Sequence, residues 1–317
     1  MQNSYNCKVK FEKHIDLKSA VLQPFRLPGI DESIKFYIKR EDKFHPAISG
    51  NKWRKLKYNL LEAKEQNKKT LLTFGGAYSN HIYATASAGK IFGFETIGII
   101  RGEEHLPLNP TLTFAKENGM KLVYVSRSEY RRRYDEDYIQ EIYNEFGNVY
   151  LIPEGGTNLL ALKGAAEIVN DIDTGFNYIC SACGTGGTLA GIIAGLNGKN
   201  YAIGFPVLKG GAFLKENISQ LLRDFTGKEY FNWHLETNYH TGGYAKINRE
   251  LIEFIFEFEN LNGVKLDPVY TGKMMYGIYD LALNNRFEKG STVIAVHTGG
   301  LQGIEGMKPK IEKLMNN

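Results

Sequence analysis

The chain alternates short apolar runs with longer stretches whose apolar positions recur at helical spacing. Runs at 70–74 (TLLTF), 95–100 (ETIGII), 121–126 (KLVYVS), 148–153 (NVYLIP), 177–182 (NYICSA), 201–207 (YAIGFPV) and 291–300 (STVIAVHTGG) predict strands, most of them buried on both faces. Helices are predicted over 79–93, 108–119, 135–147, 158–172, 189–196, 212–226, 248–263 and 272–286. In DEDYIQEIYNEFG (135–147) the acidic residues stand at the helix start, where they complement its dipole. The aromatic residues around 254–258 have helical spacing and read as core. Repeated strand–helix units imply parallel sheets covered by helices on both faces. About seven such units are too many for one modest sheet. Eight regular units are not evident, and the first 50 residues do not fit a TIM barrel. The expected fold class is α/β, with two doubly wound domains of parallel-rich sheets and a ligand at the carboxyl ends of their strands.

A length of 317 residues agrees with two domains. Hydrophobic residues at 43% and charged residues at 23% exclude disorder, collagen and coiled coil. A net charge of +4 gives no reason to expect a nucleic-acid or membrane partner, and no window approaches the length of a membrane span. Three cysteines, Cys7, Cys180 and Cys183, make no disulfide framework and suit a reducing compartment. The opening MQNSYNCKVKFEKH has no apolar run of the signal-peptide kind, so a cytoplasmic protein is expected. Cys180-x-x-Cys183 is a weak redox pair, because Cys180 falls inside a strand. The seven histidines lack zinc-ligand spacing, so no metal is expected. Arg131, Arg132 and Arg133 read as a solvated loop.

Five segments could carry chemistry. In GNKWRKL (50–56), Lys52 precedes a helix expected to begin near Trp53. A lysine there can project into a cleft, where its amine forms imines with carbonyls; it also reads as a solvated helix start. In GGAYSNH (75–81), Ser79, Asn80 and His81 bring a hydroxyl, an amide and an imidazole to one helix N-terminus; the plain alternative is an N-cap. In CGTGGT (183–188), Gly184, Thr185, Gly186, Gly187 and Thr188 follow a strand and precede a small-residue helix. Their N–H groups can form a phosphate nest, although the segment is neither a Walker A nor a G-x-G-x-x-G motif. DPVYTGK (267–273), which carries Tyr270 and Thr271, and VHTGGLQG (296–303), which carries Thr298, are turns at element ends; a half-buried tyrosine can still move a proton.

A lysine, a phosphate nest and a hydroxyl at a glycine-rich strand exit fit pyridoxal 5′-phosphate. The five segments, in this order and spanning about residues 38–303, resemble the 1-aminocyclopropane-1-carboxylate deaminase / D-cysteine desulfhydrase family, of the fold type II, tryptophan synthase β-like pyridoxal phosphate enzymes. The resemblance implies that Lys52 is the Schiff-base lysine and the base at the substrate α-carbon. It implies that Asn80 bonds the cofactor's 3′-oxygen, and that Ser79 contacts the substrate carboxylate or shuttles a proton. His81 falls among the substrate-binding residues, at a position where the deaminases often have glutamine. Gly184, Thr185, Gly186, Gly187 and Thr188 would hold the phosphate, with Lys55 adding charge. Tyr270 would be the catalytic tyrosine, and Tyr244, in HTGGYAK, the second one. The cyclopropane-opening deaminases typically read Tyr-Glu-Gly-Lys, with that glutamate near the pyridine nitrogen. Here Thr271 replaces it, as in the desulfhydrases, and Thr298 becomes the nitrogen's neighbour. A hydroxyl does not hold a full proton on the ring, so the cofactor is a weaker electron sink, better suited to β-elimination than to opening an unactivated ring.

The implied activity is a lyase that converts D-cysteine or a related β-substituted D-amino acid to pyruvate, ammonia and sulfide. Alternatives are a cyclopropane deaminase, a β-replacement synthase of the same fold and a non-catalytic cofactor-binding protein. Residues 1–50 plus 160–317 would form the larger, cofactor-binding domain and 51–159 the smaller, with the active site between them. A homodimer is implied by analogy with the family.

Overall fold

The computed structural model describes residues 13–316, so Cys7 lies outside the described residues. Its strands are β1 (Leu22–Pro24), β2 (Lys35–Lys39), β3 (Thr70–Gly75), β4 (Glu95–Arg101), β5 (Met120–Val125), β6 (Val149–Ile152), β7 (Tyr178–Cys183), β8 (Tyr201–Pro206), β9 (Trp233–Leu235) and β10 (Thr292–Val296). Its helices are α1 (Asn51–Glu65), α2 (Asn80–Phe92), α3 (Pro110–Glu117), α4 (Arg127–Arg131), α5 (Glu136–Phe146), α6 (Leu159–Asn170), α7 (Gly187–Leu196), α8 (Leu214–Thr226), α9 (Arg249–Asn262), α10 (Thr271–Leu283) and α11 (Gly303–Asn316).

The strands form two sheets, ordered β1-β2-β10-β7-β8-β9 and β5-β4-β3-β6. Every pairing is parallel except β1 with β2. Buried apolar runs such as YICSAC and TLLTFG need cover on both faces, and the helices supply it. On the larger sheet, Phe254, Ile255 and Phe258 of α9 and Met274, Met275 and Ile278 of α10 cover one face. Leu162 and Ala165 of α6, Ile192 and Ile193 of α7 and Ile218 of α8 cover the other. On the smaller sheet, Leu71 faces Trp53 and Leu56 of α1, while Leu72 and Phe74 face Tyr138 and Ile142 of α5. That is the period-2 alternation of a strand. Side-chain oxygens of Ser79, Asn109, Asn158 and Asn248 accept backbone N–H bonds at the starts of α2, α3, α6 and α9.

Each sheet has one point where the winding reverses. From β7 the chain winds outward through β8 and β9, then returns to the other side of β7 as β10. In the smaller sheet β4 and β5 lie on one side of β3 and β6 on the other. Crevices at the carboxyl ends of the strands open at such points, so the residues after β3, β7 and β10 stand where α/β folds hold ligands.

Several local expectations change. Strands β1, β2 and β9 and helices α4 and α11 are additional to those read from the pattern. Helix α1 starts at Asn51, so Lys52 lies within its first turn rather than before it. The arginine triplet is not a simple solvated loop. Arg131 ends α4, Arg132 pairs with Glu141 at 2.9 Å, and Arg133 pairs with Glu154 at 2.8 Å and lies over the rings of Tyr130 and Tyr134. In the aromatic run, Phe254 and Phe258 are core but Phe256 is exposed.

Candidate active site

Both sheets direct their strand ends at one cavity of about 390 Å³. Lys52, Lys55, Ser79, Asn80, His81, Gly184, Thr185, Gly186, Thr188, Tyr244, Tyr270 and Thr298 all line it. Gly187 stands behind this surface, where a Cβ would come within 2.7 Å of Thr157 Cγ2.

Lys52 is held by the first turn of α1. Its Nζ donates to Asn51 Oδ1 at 2.7 Å, and Asn51 Nδ2 donates to Thr188 Oγ1 at 2.7 Å. Burial pulls the Lys52 amine down to about 8, against the opposing pull of Asp267. The helix start is fastened to the exit of β10. Gly50 has φ +63°, and a Cβ there would sit 2.0 Å from the Thr298 carbonyl oxygen, so the residue must be glycine. The Asn51 N–H donates to that same carbonyl at 3.4 Å.

Lys55 lies one turn further along α1 and is 3% exposed. Its Nζ donates to Thr157 Oγ1 at 2.8 Å, and that hydroxyl lies 2.6 Å from Thr185 Oγ1. With Lys55 as donor, Thr157 is free to donate onward to Thr185. Burial, then the charge of Lys52, pushes the Lys55 amine well below the usual lysine range. Neither lysine has a carboxylate at ion-pair distance among the described residues. Beside them the chain turns through Gly186 at φ +84° into α7. The backbone N–H groups of Gly184, Thr185 and Gly186 donate to no backbone carbonyl among the described residues. A buried amine, unpaired N–H groups and a helix N-terminus together make a site for a multiply charged anion. The phosphate of pyridoxal 5′-phosphate fits this donor set, and its aldehyde fits the neighbouring Lys52.

Three consecutive residues open α2 across the cavity. Ser79 Oγ accepts from the N–H groups of His81 at 3.2 Å and Ile82 at 3.3 Å, which leaves its own proton available to the cavity. Asn80 Oδ1 accepts from Gln302 Nε2 at 2.7 Å. His81 is 2% exposed, and its Nε2 lies 2.9 Å from Thr73 Oγ1. The Thr73 hydroxyl already donates to the Ile152 carbonyl at 2.8 Å, so His81 Nε2 carries the proton. Nδ1 is then a bare acceptor, buried and without a partner among the described residues. Burial, Lys55 and Lys52 together push His81 well below the usual histidine range, so the ring is neutral.

Two tyrosines face each other at the cavity wall. Their hydroxyls are 3.4 Å apart and their rings meet edge to face, with centroids 6.0 Å apart. Burial raises both hydroxyls above the usual tyrosine range, so each holds its proton at neutral pH. Tyr270 is set in place by Asp267. One carboxylate oxygen accepts from the N–H groups of Val269 (3.0 Å) and Tyr270 (2.7 Å). The other accepts from the N–H and the hydroxyl of Thr271, at 2.9 and 2.6 Å. The Thr271 hydroxyl is fully buried in this cap and does not reach the cavity. Thr298 does line it, and its hydroxyl has no hydrogen bond among the described residues.

Asn51, Thr157, Asp267 and Gln302 also belong to this arrangement and were not singled out from the sequence. Asn51 and Asp267 fall inside GNKWRKL and DPVYTGK, so those motifs signalled them without assigning them a part. Thr157 follows Gly155-Gly156, a doublet like those at the other strand exits. Gln302 falls inside VHTGGLQG in the same way, without a part assigned to it.

Similarity to known proteins agrees with this geometry. Residues 23–299 match the family described as pyridoxal-phosphate dependent enzyme. A Pyrococcus furiosus protein whose name assigns it as a 1-aminocyclopropane-1-carboxylate deaminase is 35% identical over 295 residues, covering 87% of this chain and 88% of that one. The mitochondrial bifunctional D-cysteine desulfhydrase/1-aminocyclopropane-1-carboxylate deaminase of Arabidopsis thaliana is 31% identical, covering 92% and 79%. A crystal structure described as an ACC deaminase homologue superposes with a TM-score of 0.82 at 31% identity, covering 93% of each chain. Among the described residues no helix is long and apolar enough to cross a membrane. With fold type II architecture and a cavity whose donors fit the cofactor phosphate, the chain belongs to the pyridoxal-phosphate-dependent enzymes, among the relatives named 1-aminocyclopropane-1-carboxylate deaminase and D-cysteine desulfhydrase.

Proposed function

We propose that the enzyme is a lyase that eliminates the β-substituent of D-cysteine or a related D-amino acid. Pyridoxal phosphate, when bound, supplies the aldehyde that takes up the substrate amine and the ring that withdraws electrons from its α-carbon. Gly184, Thr185, Gly186, Gly187 and Thr188 hold its phosphate, with Lys55 as counter-charge. Asn80 faces its 3′-oxygen, and Lys52 is the residue linked to it. Ser79, Asn80 and His81, at the N-terminus of α2, receive the substrate, the serine proton and the Asn80 N–H taking its carboxylate. An amine near 8 can take the α-proton close to neutral pH, and this is the task of Lys52. The paired hydroxyls of Tyr270 and Tyr244 hold the proton that the departing thiolate takes. With one water consumed, D-cysteine gives pyruvate, ammonia and hydrogen sulfide, and no oxidant is needed.

Thr298 carries the choice of elimination. Its hydroxyl is the group offered to the ring nitrogen, while the nearby carboxylate of Asp267 is engaged by Thr271 and three backbone N–H groups. A ring without a full proton favours a reaction whose leaving group departs promptly. The same proposal takes residues 1–50 plus 160–317 as the cofactor-binding domain and 51–159 as the smaller one, in a cytoplasmic homodimer. The test is keto-acid release from a panel of D- and L-amino acids. Pyruvate from D-cysteine but not L-cysteine is expected, with Lys52→Ala abolishing both turnover and the visible band of the lysine-linked cofactor. Oxobutanoate from 1-aminocyclopropane-1-carboxylate with no pyruvate from D-cysteine would overturn the reading of Thr271 and Thr298. A visible band without turnover of any substrate would make the protein a binder.

A further inference from the structure

Gln302 falls in VHTGGLQG, in the loop between β10 and α11, and it reaches Asn80 at the first turn of α2. Its Nε2 donates to Asn80 Oδ1 at 2.7 Å. An asparagine amide has one accepting end and one donating end. Here the accepting end is occupied, which leaves the Nδ2 donors for the cavity. A Cβ on Gly300 would lie 2.6 Å from Asn80 Nδ2 and 3.8 Å from Asp267 Cγ. The Nδ2 end of the amide thus lies against Gly300, whose lack of a side chain leaves it room. The turn that carries Gln302 is itself hydrogen-bonded, with the Gly303 N–H donating to Gly300 O at 3.0 Å, so the glutamine reaches across from a fixed base.

We infer that Gln302 is a positioning residue. It holds the Asn80 amide so that an N–H, not the carbonyl, meets the 3′-oxygen of the cofactor. The inference rests on the cofactor contact proposed for Asn80 and adds the group that makes this contact a donating one. An N–H on that oxygen stabilises its negative form and lowers the pH at which the lysine-linked chromophore gives up its proton. Reversing the amide would place a carbonyl against the same oxygen.

The experiment uses the cofactor-loaded enzyme and reads the pH titration of its visible band, with the cofactor dissociation constant as a second readout. Gln302→Glu introduces a carboxylate that only accepts, so Asn80 must turn its NH₂ toward it. Gln302→Leu frees the amide without reversing it. The expected order of titration midpoints is wild type, then Gln302→Leu, then Gln302→Glu, with the last about one unit higher. Cofactor affinity should weaken in the same order, about tenfold for Gln302→Glu. A purely structural role would lower the melting temperature of both variants without ordering the midpoints. Midpoints equal to wild type in both variants would sink the inference. An unmoved midpoint in Asn80→Ala would instead remove the contact on which it rests, and a wild type with no visible band would remove the cofactor reading itself.

Discussion

Lys52 is pulled toward its neutral form because the cleft wall replaces water around an amine whose hydrogen-bond partner among the described residues is Asn51 Oδ1. In the unfolded chain a lysine keeps its proton to about pH 10.4. Between about 8 and that value the unfolded state binds more protons than the folded one, so stability rises with pH across this window. Below about 8 the full cost of burying the charged amine is present. Two results are expected. The cofactor-free protein should capture pyridoxal phosphate faster as pH rises through about 8, followed by the growth of the visible band. Lys52→Met should raise the melting temperature of the cofactor-free protein at pH 7, and the gain should fade by pH 10. A gain that persisted at pH 10 would show that volume, not charge, governs the position. Much at this scale is legible in the sequence, because the reactive residues sit in short local motifs. Their partners do not. The link from Lys55 to Thr157 crosses 102 positions and that from Gln302 to Asn80 crosses 222, and no local pattern encodes such pairings.

Helix α1 carries both lysines, so whatever sets its position sets their spacing. Its closest neighbour is α6, where a Cβ on Gly164 would sit 1.8 Å from the Arg54 carbonyl oxygen. In an exposed helix, Gly→Ala gains up to about 1 kcal/mol. Here the added methyl meets backbone, and the two helices must separate. Gly164→Ala is expected to cost about 1–3 kcal/mol in urea unfolding and to weaken cofactor affinity through Lys55. A stabilised variant with unchanged affinity would show that this crossing is loose. The central elements are legible in the sequence because buried parallel strands are continuous apolar runs and their covering helices are periodic. The missed elements lack those signals. β2 reads KFYIK, with lysine at both ends, yet Lys39 is buried because its ammonium reaches the carbonyls of Ala20 and Asp171. β2 earns its place only by pairing with β10, more than 250 positions later, and β9 is only three residues long. α11 contains Pro309 and has no fully buried residue; Met307, Ile311, Leu314 and Met315 pack only partly against the larger core, and the proline interrupts the helical reading of their spacing.

The two sheets are joined across α1 and α6 by charge as well as by packing. Arg54 is 2% exposed and makes two bonds to Glu41, which is fully buried, at 2.8 and 3.0 Å. It also reaches Asp171 at 2.5 Å and Glu167 at 3.3 Å, at the end of α6. One guanidinium therefore ties the segment after β2, the helix that carries the reactive lysines and the helix that covers the larger sheet. Removing one member of such a network strands a buried charge, at a cost of about 3–5 kcal/mol, whereas replacing both partners with neutral groups costs less. Arg54→Met should therefore destabilise the protein more than the double variant Arg54→Met/Glu41→Gln. The chain also provides its own reporters, because its two tryptophans lie in different cores: Trp53 beneath the smaller sheet and Trp233 beside the larger. In single-tryptophan versions made with Trp53→Phe or Trp233→Phe, both signals should follow one urea transition while Arg54 is present. With Arg54→Met the Trp53 transition should fall to lower urea and separate from that of Trp233. Coincident transitions in the variant would mean that packing between α1 and α6 couples the sheets without help from the buried charges.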